Sequence, residues 1–405
     1  MNRRILAYAE LLIIIAIACV PLLVKFPYRV NIFLSWEGAY RMSQGQLPFR
    51  DFGIPLGGAY WVIPAIFFKI FGPQMITLVK AQVFINIIAG LSFRSILSSL
   101  SVRPGIRLLS VLVFCISYSF FNFWPWYNHS LIVYELVALA FLFKFLLPHD
   151  LHYRMIWLAA AAFFVCFSFL TKQDGGGMAF LICCALLAYH GLMEKKWTPL
   201  VSFVAFTAVL FFLLILPFLK YGFGYWFNHG QPPHTARISA FELIDDFFSS
   251  SQWIKFYLFL IVLLLLARFQ SWKSLFASKA DMLFLLLTLA MLGEAAVFQV
   301  TSYTPPDNNI FFHSFAFVFL ISSFSHKWPL NFEKPTILIT GIFGIMLWWS
   351  GSYWKYIQRT GIFAHNEETV SASGENIVNR KTYMLSPDTT DIPMYKWVET
   401  GLKSF

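Results

Sequence analysis

Charge is scarce in this chain. Only 12% of its 405 residues are Asp, Glu, Lys or Arg, about half the ~25% of a soluble domain. That shortage excludes an ordinary water-soluble fold. Cysteine is scarce too. The five, Cys19, Cys115, Cys166, Cys183 and Cys184, all fall inside hydrophobic runs, with no pair at metal-ligand spacing. They read as small apolar helix residues and do not report an oxidising compartment. No internal repeat or low-complexity segment is evident. The "GxxxxGK[ST]" spacing of a nucleotide-binding loop is missing. The net charge of +10 does not point to nucleic acid, because the basic residues sit mainly at the ends of hydrophobic runs, where membrane topology places them.

Hydrophobic residues make up 58% of the chain and aromatics 19%. Runs of about 20 apolar residues, enough to cross a bilayer, recur along nearly all of it. The expected class is an all-α polytopic membrane protein with about eleven spans: 5–24, 76–96, 104–121, 128–147, 154–171, 175–193, 197–219, 252–269, 280–299, 308–325 and 335–352. The first follows Arg3 and Arg4 without a small-residue cleavage site, so it reads as a retained helix. The segment 58–71, "GAYWVIPAIFFKIF", is short and carries Pro64. It reads as re-entrant or interfacial, with a further span as the alternative.

Basic residues set the orientation. With Arg3 and Arg4 in the cytoplasm, the cytoplasmic ends hold Arg94, Arg103, Arg107, Arg154, Lys195, Lys196, Arg268, Lys273, Lys279, Lys327 and Lys334. The short outer loops "NFWPWYN", "TKQDGGG" and "TSYTPPDNN" hold one basic residue, Lys172. The N-terminus is expected inside and the C-terminus outside. The polar chemistry then gathers on the outer face: Glu37, Asp51, Asn128, His129, Lys172, Gln173, Asp174, His229, His234, Asp307 and Asn308. Residues 1–352 read as the membrane module, with a first outer loop at 25–75. Residues 353–405 read as a polar outer tail that is either truncated or packed on the loops.

The first outer loop carries "SWEGAYRMSQGQLPFRDF" (35–52). Ser35 is a plausible N-cap and Gly45 a plausible stop, with Pro48 beyond it. These predict a helix over Trp36–Gln44. Glu37, Arg41 and Gln44 share a face, and Glu37 falls in the first turn, where the dipole favours a carboxylate. A surface ion pair between Glu37 and Arg41 is the plain alternative.

Glu37-Gly-x-Tyr40, then "GQLPFRDF" (45–52), then an apolar Gly/Pro-containing helix ending "FKIFG" (68–72), resembles the first outer loop of the GT-C glycosyltransferases. Within them it is most similar to the dolichyl-phosphate-mannose protein mannosyltransferases and the bacterial aminoarabinose transferase of lipid A. The resemblance covers the first seventy-odd residues; beyond them it rests on architecture and "TKQDGGG". It implies a helical bundle with juxtamembrane helices in the first loop, and transfer of a sugar from a polyprenyl-phosphate donor to an acceptor at the outer leaflet. A first-loop acid is implied as base or acceptor orienter. The family's Asp-Glu pair here reads Trp36-Glu37. Glu37 takes the role, or Asp51 does, or catalysis is lost; Glu37 is the first choice.

Such a donor carries its own leaving group, so neither metal nor nucleotide is obligatory. A carboxylate must take the acceptor proton, and cations or amide N–H groups must stabilise the departing phosphate. Arg41 and Arg50 are candidates. So is "TKQDGGG", where Lys172, Gln173 and Asp174 precede three glycines at a helix start open to an anion; a tight Gly-rich turn with a Lys–Asp pair is the alternative. Asn128 and His129 can bind sugar or phosphate. With no His or Cys nearby, His129 is a poor metal ligand. Glu135, Glu294 and Gln299 sit within spans and can line a donor groove or be structurally paired. Asp307 and Asn308 cap a helix or bind sugar. The segment 228–246 can serve as a lid. A lipid-linked sugar flippase and an inactive glycolipid-binding relative are the competing readings.

Overall fold

In lipid an apolar run has one simple solution, a helix that satisfies its own backbone. In the computed structural model the chain adopts it almost throughout. The structure describes residues 2–23, 26–27, 30–52, 57–120, 122–147, 154–221, 240–268, 278–302, 311–328, 330–358, 369–371 and 382–385. Its α-helices are α1 (Arg3–Ala18), α2 (Val20–Leu23), α3 (Val30–Ser43), α4 (Val62–Phe71), α5 (Met75–Ser99), α6 (Pro104–Ser119), α7 (Tyr127–Leu146), α8 (Arg154–Phe169), α9 (Gln173–Glu194), α10 (Thr198–Ile215), α11 (Ala240–Ser249), α12 (Gln252–Arg268), α13 (Lys279–Ser302), α14 (His313–Lys327), α15 (Pro335–Trp348) and α16 (Ser350–Gln358).

Helix α7 is the axis of the bundle. All of it is buried except Phe141 and Lys144, and it lies against α5, α8 and α9. Helix α1 packs on α5 and α6, and α13 on α9 and α14. Helix α10 buries only Phe203, as an apolar helix can when lipid is its neighbour.

Among the described residues five helices are long and apolar enough to cross a membrane: α5, α7, α9, α10 with its extension to Phe218, and α13. Helices α11 and α12 make a sixth if they count as one span bent by 80°. Helices α6, α8, α14 and α15 and the segment 59–71 are apolar but shorter. The chain is an integral, multi-pass membrane protein.

Three features depart from the sequence expectation. First, α11 occupies part of the stretch read as a loop or lid. Its Phe241, Ile244 and Phe248 recur at helical spacing and stay exposed, which is the pattern of an interfacial helix. Second, a small sheet joins the tail to the first loop. Phe26–Pro27 pairs in parallel with Thr382–Leu385, and Thr369–Ser371 pairs antiparallel on the other side. Third, Arg94 and Arg107 belong to helices and do more than mark a cytoplasmic loop. They clamp Glu10, which is fully buried in α1, at 2.6 and 2.9 Å.

Candidate functional site

Helix α3 begins at Val30, six residues before the helix expected from Ser35. Ile32, Ser35 and Ala39 follow at helical spacing and are fully buried, so packing against Tyr60 and Trp61 overrides the capping preference of Ser35. Glu37 is therefore eighth in α3, and the first-turn dipole argument does not apply to it. The expected stop holds: Gly45 follows the helix with φ +86°, a conformation suited to glycine. Trp36, where the resemblance leads one to expect an acid, is committed to structure. Its indole donates to the Pro73 carbonyl at 2.9 Å and stacks on Tyr40 at 5.0 Å. Gly38 leaves room for the Trp61 ring, which a Cβ would meet at 1.9 Å.

Glu37 pairs with Arg41. Both Arg41 Nη2 (2.8 Å) and Nε (3.0 Å) donate to Oε1, while Nη1 donates to Gln46 at 3.2 Å. No described residue donates to Glu37 Oε2. The pair borders an open groove of about 510 Å³ lined by Phe33, Trp36, Tyr40, Gln44 and Gln46.

Asp51 is fully engaged. Oδ2 accepts from the Leu47 amide at 2.8 Å and from Arg50 Nη2 at 2.6 Å, and Oδ1 accepts from Arg50 Nε at 2.9 Å. These donors, Arg50 first, hold its carboxyl below the ordinary aspartate value, and Asp51 raises that of Arg50 in turn. Arg41 lies over the Phe52 ring at 5.5 Å, which joins the two pairs into one loop surface.

The third element is the turn between α8 and α9. Lys172 is 9% exposed. Its ammonium is 2.9 Å from Asp174 and donates to the Thr301 carbonyl at 3.3 Å, 5.6 Å from the Phe298 ring centre. Burial lowers its pKa and the Asp174 pairing works against that. The glycines serve packing. A Cβ on Gly175 would meet Leu131 at 2.4 Å, and one on Gly176 the Phe169 backbone at 2.1 Å. Asp174 accepts from the Gly175 amide at 2.9 Å, so the α9 N-terminus already has a carboxylate of its own.

The segment 57–61 bridges these elements. Ala59 N–H donates to the Leu170 carbonyl at 3.2 Å, and Trp61 donates to Leu34 O at 3.2 Å. Tyr134 Oη donates to Ala59 O at 3.0 Å. Only glycine fits at position 57, where a Cβ would lie 1.5 Å from Leu170 O. Asn128 and His129, in the first turn of α7, are buried at this end. His129 is within electrostatic reach of Lys172, and among the described residues neither of its ring nitrogens has a hydrogen-bond partner.

This bundle shares its fold with ArnT. The crystal structures of ArnT from Cupriavidus metallidurans in the apo state and bound to undecaprenyl phosphate each superpose with a TM-score of 0.51, at 14% and 11% identity. They cover 87% and 89% of this chain, which in turn spans 64% and 66% of theirs. The likeness is one of fold. No protein-family profile and no curated protein sequence matches the chain.

Within this ArnT-like frame, the remaining sequence candidates fall elsewhere. Glu294 neighbours Glu135 in the core, and among the described residues none of their four carboxyl oxygens has a hydrogen bond of ordinary geometry. Gln299 accepts from Ser251 at 2.7 Å and ties α13 to the start of α12. Gln173 opens α9, half-buried beside Lys172. Asp307, Asn308, His229, His234 and Arg237 lie outside the described residues. Among the described residues no three metal-ligating side chains come together. Sequence reading missed Tyr134 and the 57–61 bridge. Gly57-Gly58 beside an aromatic pair was the available signal.

Proposed function

We propose that this chain is a GT-C-type glycosyltransferase that takes a sugar from a polyprenyl-phosphate donor and passes it, with inversion, to an acceptor hydroxyl at the outer face of the membrane. The observation that carries the reading is a turn holding the buried Lys172, bonded to the first-loop segment through Leu170 and Ala59, in a bundle with the fold of a protein solved with undecaprenyl phosphate. In this reading the acceptor oxygen bonds to the anomeric carbon as its proton passes to Glu37. The bond from that carbon to the phosphate oxygen breaks, and the electron pair leaves with the lipid phosphate. Lys172, with Arg41, His129 and Asn128 as further contacts, stabilises the departing charge. Glu37 is preferred over Asp51 because Arg50 and the Leu47 amide already engage both oxygens of Asp51 and reduce its basicity.

The proposed topology has eleven crossings: α1, α5 to α10, α12, α13, α14 and α15. The N-terminus is cytoplasmic, and the active face and the 353–405 tail are outside, in a bacterial plasma membrane. A lipid-linked sugar flippase is the second reading. The 80° break between α11 and α12 favours it, because transporters build on interrupted helices.

The test is sugar release from synthetic undecaprenyl-phosphate hexoses by purified protein. Glu37→Gln is expected to cut turnover about 10²–10⁴-fold, the usual range for a general base, and Asp51→Asn much less. Loss confined to Asp51→Asn would move the base. Lipid binding without donor consumption, together with vectorial movement in vesicles, would replace the transferase by the flippase.

A further inference from the structure

A second groove, of about 450 Å³, opens on the flank of the bundle between α5, α7 and α8. It is separate from the candidate site. It runs from Ile63 and Tyr134, whose hydroxyl is bonded to the site segment at Ala59, past Phe84 and Leu91 to Ser92, Ser95 and Lys144. Lys144 is ten residues beyond Tyr134 in one helix, about 15 Å further along its axis at ~1.5 Å per residue.

Polarity along the groove is uneven. The Tyr134 end and the middle are almost wholly apolar, while two serines and a lysine gather at the far end. Lys144 occupies the last turn of α7, where a helix presents unpaired carbonyls and membrane interfaces attract basic and aromatic residues. Its ammonium is fixed by two rings, Trp157 at 4.8 Å and Phe141 at 5.4 Å. No carboxylate among the described residues pairs with it. Phe84 and Leu91 are 42% and 36% exposed on the groove wall, so the cleft opens sideways, toward hydrocarbon in a membrane.

We propose that this groove binds one anionic glycerophospholipid from the leaflet opposite the candidate site. One acyl chain lies along the apolar stretch, and the phosphate rests on Lys144 with Ser92 and Ser95 beside it. Lys144 at the interfacial end selects a headgroup with net negative charge, and the aromatic clamp keeps that cation in place with no carboxylate paired to it among the described residues. The volume falls in the range of about 300–1,000 Å³ typical of ligand pockets. The donor's own phosphate is placed by the proposed chemistry at the other end of α7, so the two lipids occupy opposite ends. This inference stands whether or not the chain transfers sugar.

The experiment is native mass spectrometry of the full chain in detergent, titrated with phosphatidylglycerol and phosphatidylcholine of matched acyl chains. One phosphatidylglycerol is expected to bind roughly tenfold tighter than phosphatidylcholine, a factor equal to ~1.4 kcal/mol. Lys144→Gln is expected to erase that preference and leave phosphatidylcholine binding unchanged. Lys144→Arg is expected to keep it. Leu91→Trp, a change at a lipid-facing wall residue, is expected to block both lipids while the protein remains monodisperse. Equal binding of the two headgroups, a preference that survives Lys144→Gln, or undecaprenyl phosphate displacing phosphatidylglycerol in a Lys144-dependent way would each overturn the proposal.

Discussion

Three ion pairs near the candidate site have similar lengths and different surroundings. Arg41–Glu37 (2.8 Å) and Arg50–Asp51 (2.6 Å) lie on the first-loop surface, with side chains 37% and 55%, and 37% and 29%, exposed. Lys172–Asp174 (2.9 Å) is 11% and 13% exposed. Water screens the first two, and such pairs add little to stability. The third is largely out of water, so losing either partner costs more. In the proposed mechanism the loop can therefore release a carboxylate for chemistry at small structural cost. In the proposed mechanism the buried turn offers a cation already largely out of water, where attraction to a phosphate is stronger.

The largest effect that would break this contrast comes from Asp174→Ala. It removes the carboxylate that faces the Lys172 ammonium, and removing one partner of a buried pair costs about 3–5 kcal/mol. Thermal unfolding of the detergent-solubilised protein should show a clear drop. A shift no larger than that of an exposed-pair variant would erase the distinction. Next is Gly57→Ala. The new Cβ has no room beside Leu170 O, and overpacking of this kind costs about 1–3 kcal/mol. Turnover should fall further than stability, because 57–61 moves off the Lys172 turn; equal losses would make the bridge merely structural. The smallest effect is the acid response of the loop. The Asp51 carboxyl lies below its ordinary value in the folded state, so its contribution is complete above the unfolded aspartate value and disappears as pH falls through the lower, folded one. Exchange protection of the Leu47 amide should persist at neutral pH and fade only at the acid end in the native protein. Asp51→Asn should flatten that dependence.

Much of the bundle was legible in the sequence. The runs at 76–96, 128–147, 154–171 and 175–193 became Met75–Ser99, Tyr127–Leu146, Arg154–Phe169 and Gln173–Glu194, because a long apolar run has no other way to satisfy its backbone. Local signals failed where distant packing outweighed them. Ser35 looked like a cap until Trp61 and Tyr60 gave the preceding residues something to bury against. The three glycines of "TKQDGGG" suggested a cradle for an anion, yet two of them accommodate Leu131 and Phe169. Helix α11 was readable in the spacing of Phe241, Ile244 and Phe248. Its brevity and the surrounding polar residues hid it. The meeting of 57–61 with the Lys172 turn joins segments over a hundred residues apart, and no local pattern encodes such a meeting.

Glu10 has a consequence for how the protein is made. Its partners, Arg94 and Arg107, are 84 and 97 residues downstream. At a synthesis rate of about 5–20 residues per second, the first helix waits roughly 4–20 s before its carboxylate can be neutralised by either arginine. Until then α1 carries a lone acid that lipid tolerates poorly. The nascent helix must linger beside the insertion machinery, or keep Glu10 near the headgroups, until α5 and α6 arrive to draw it in.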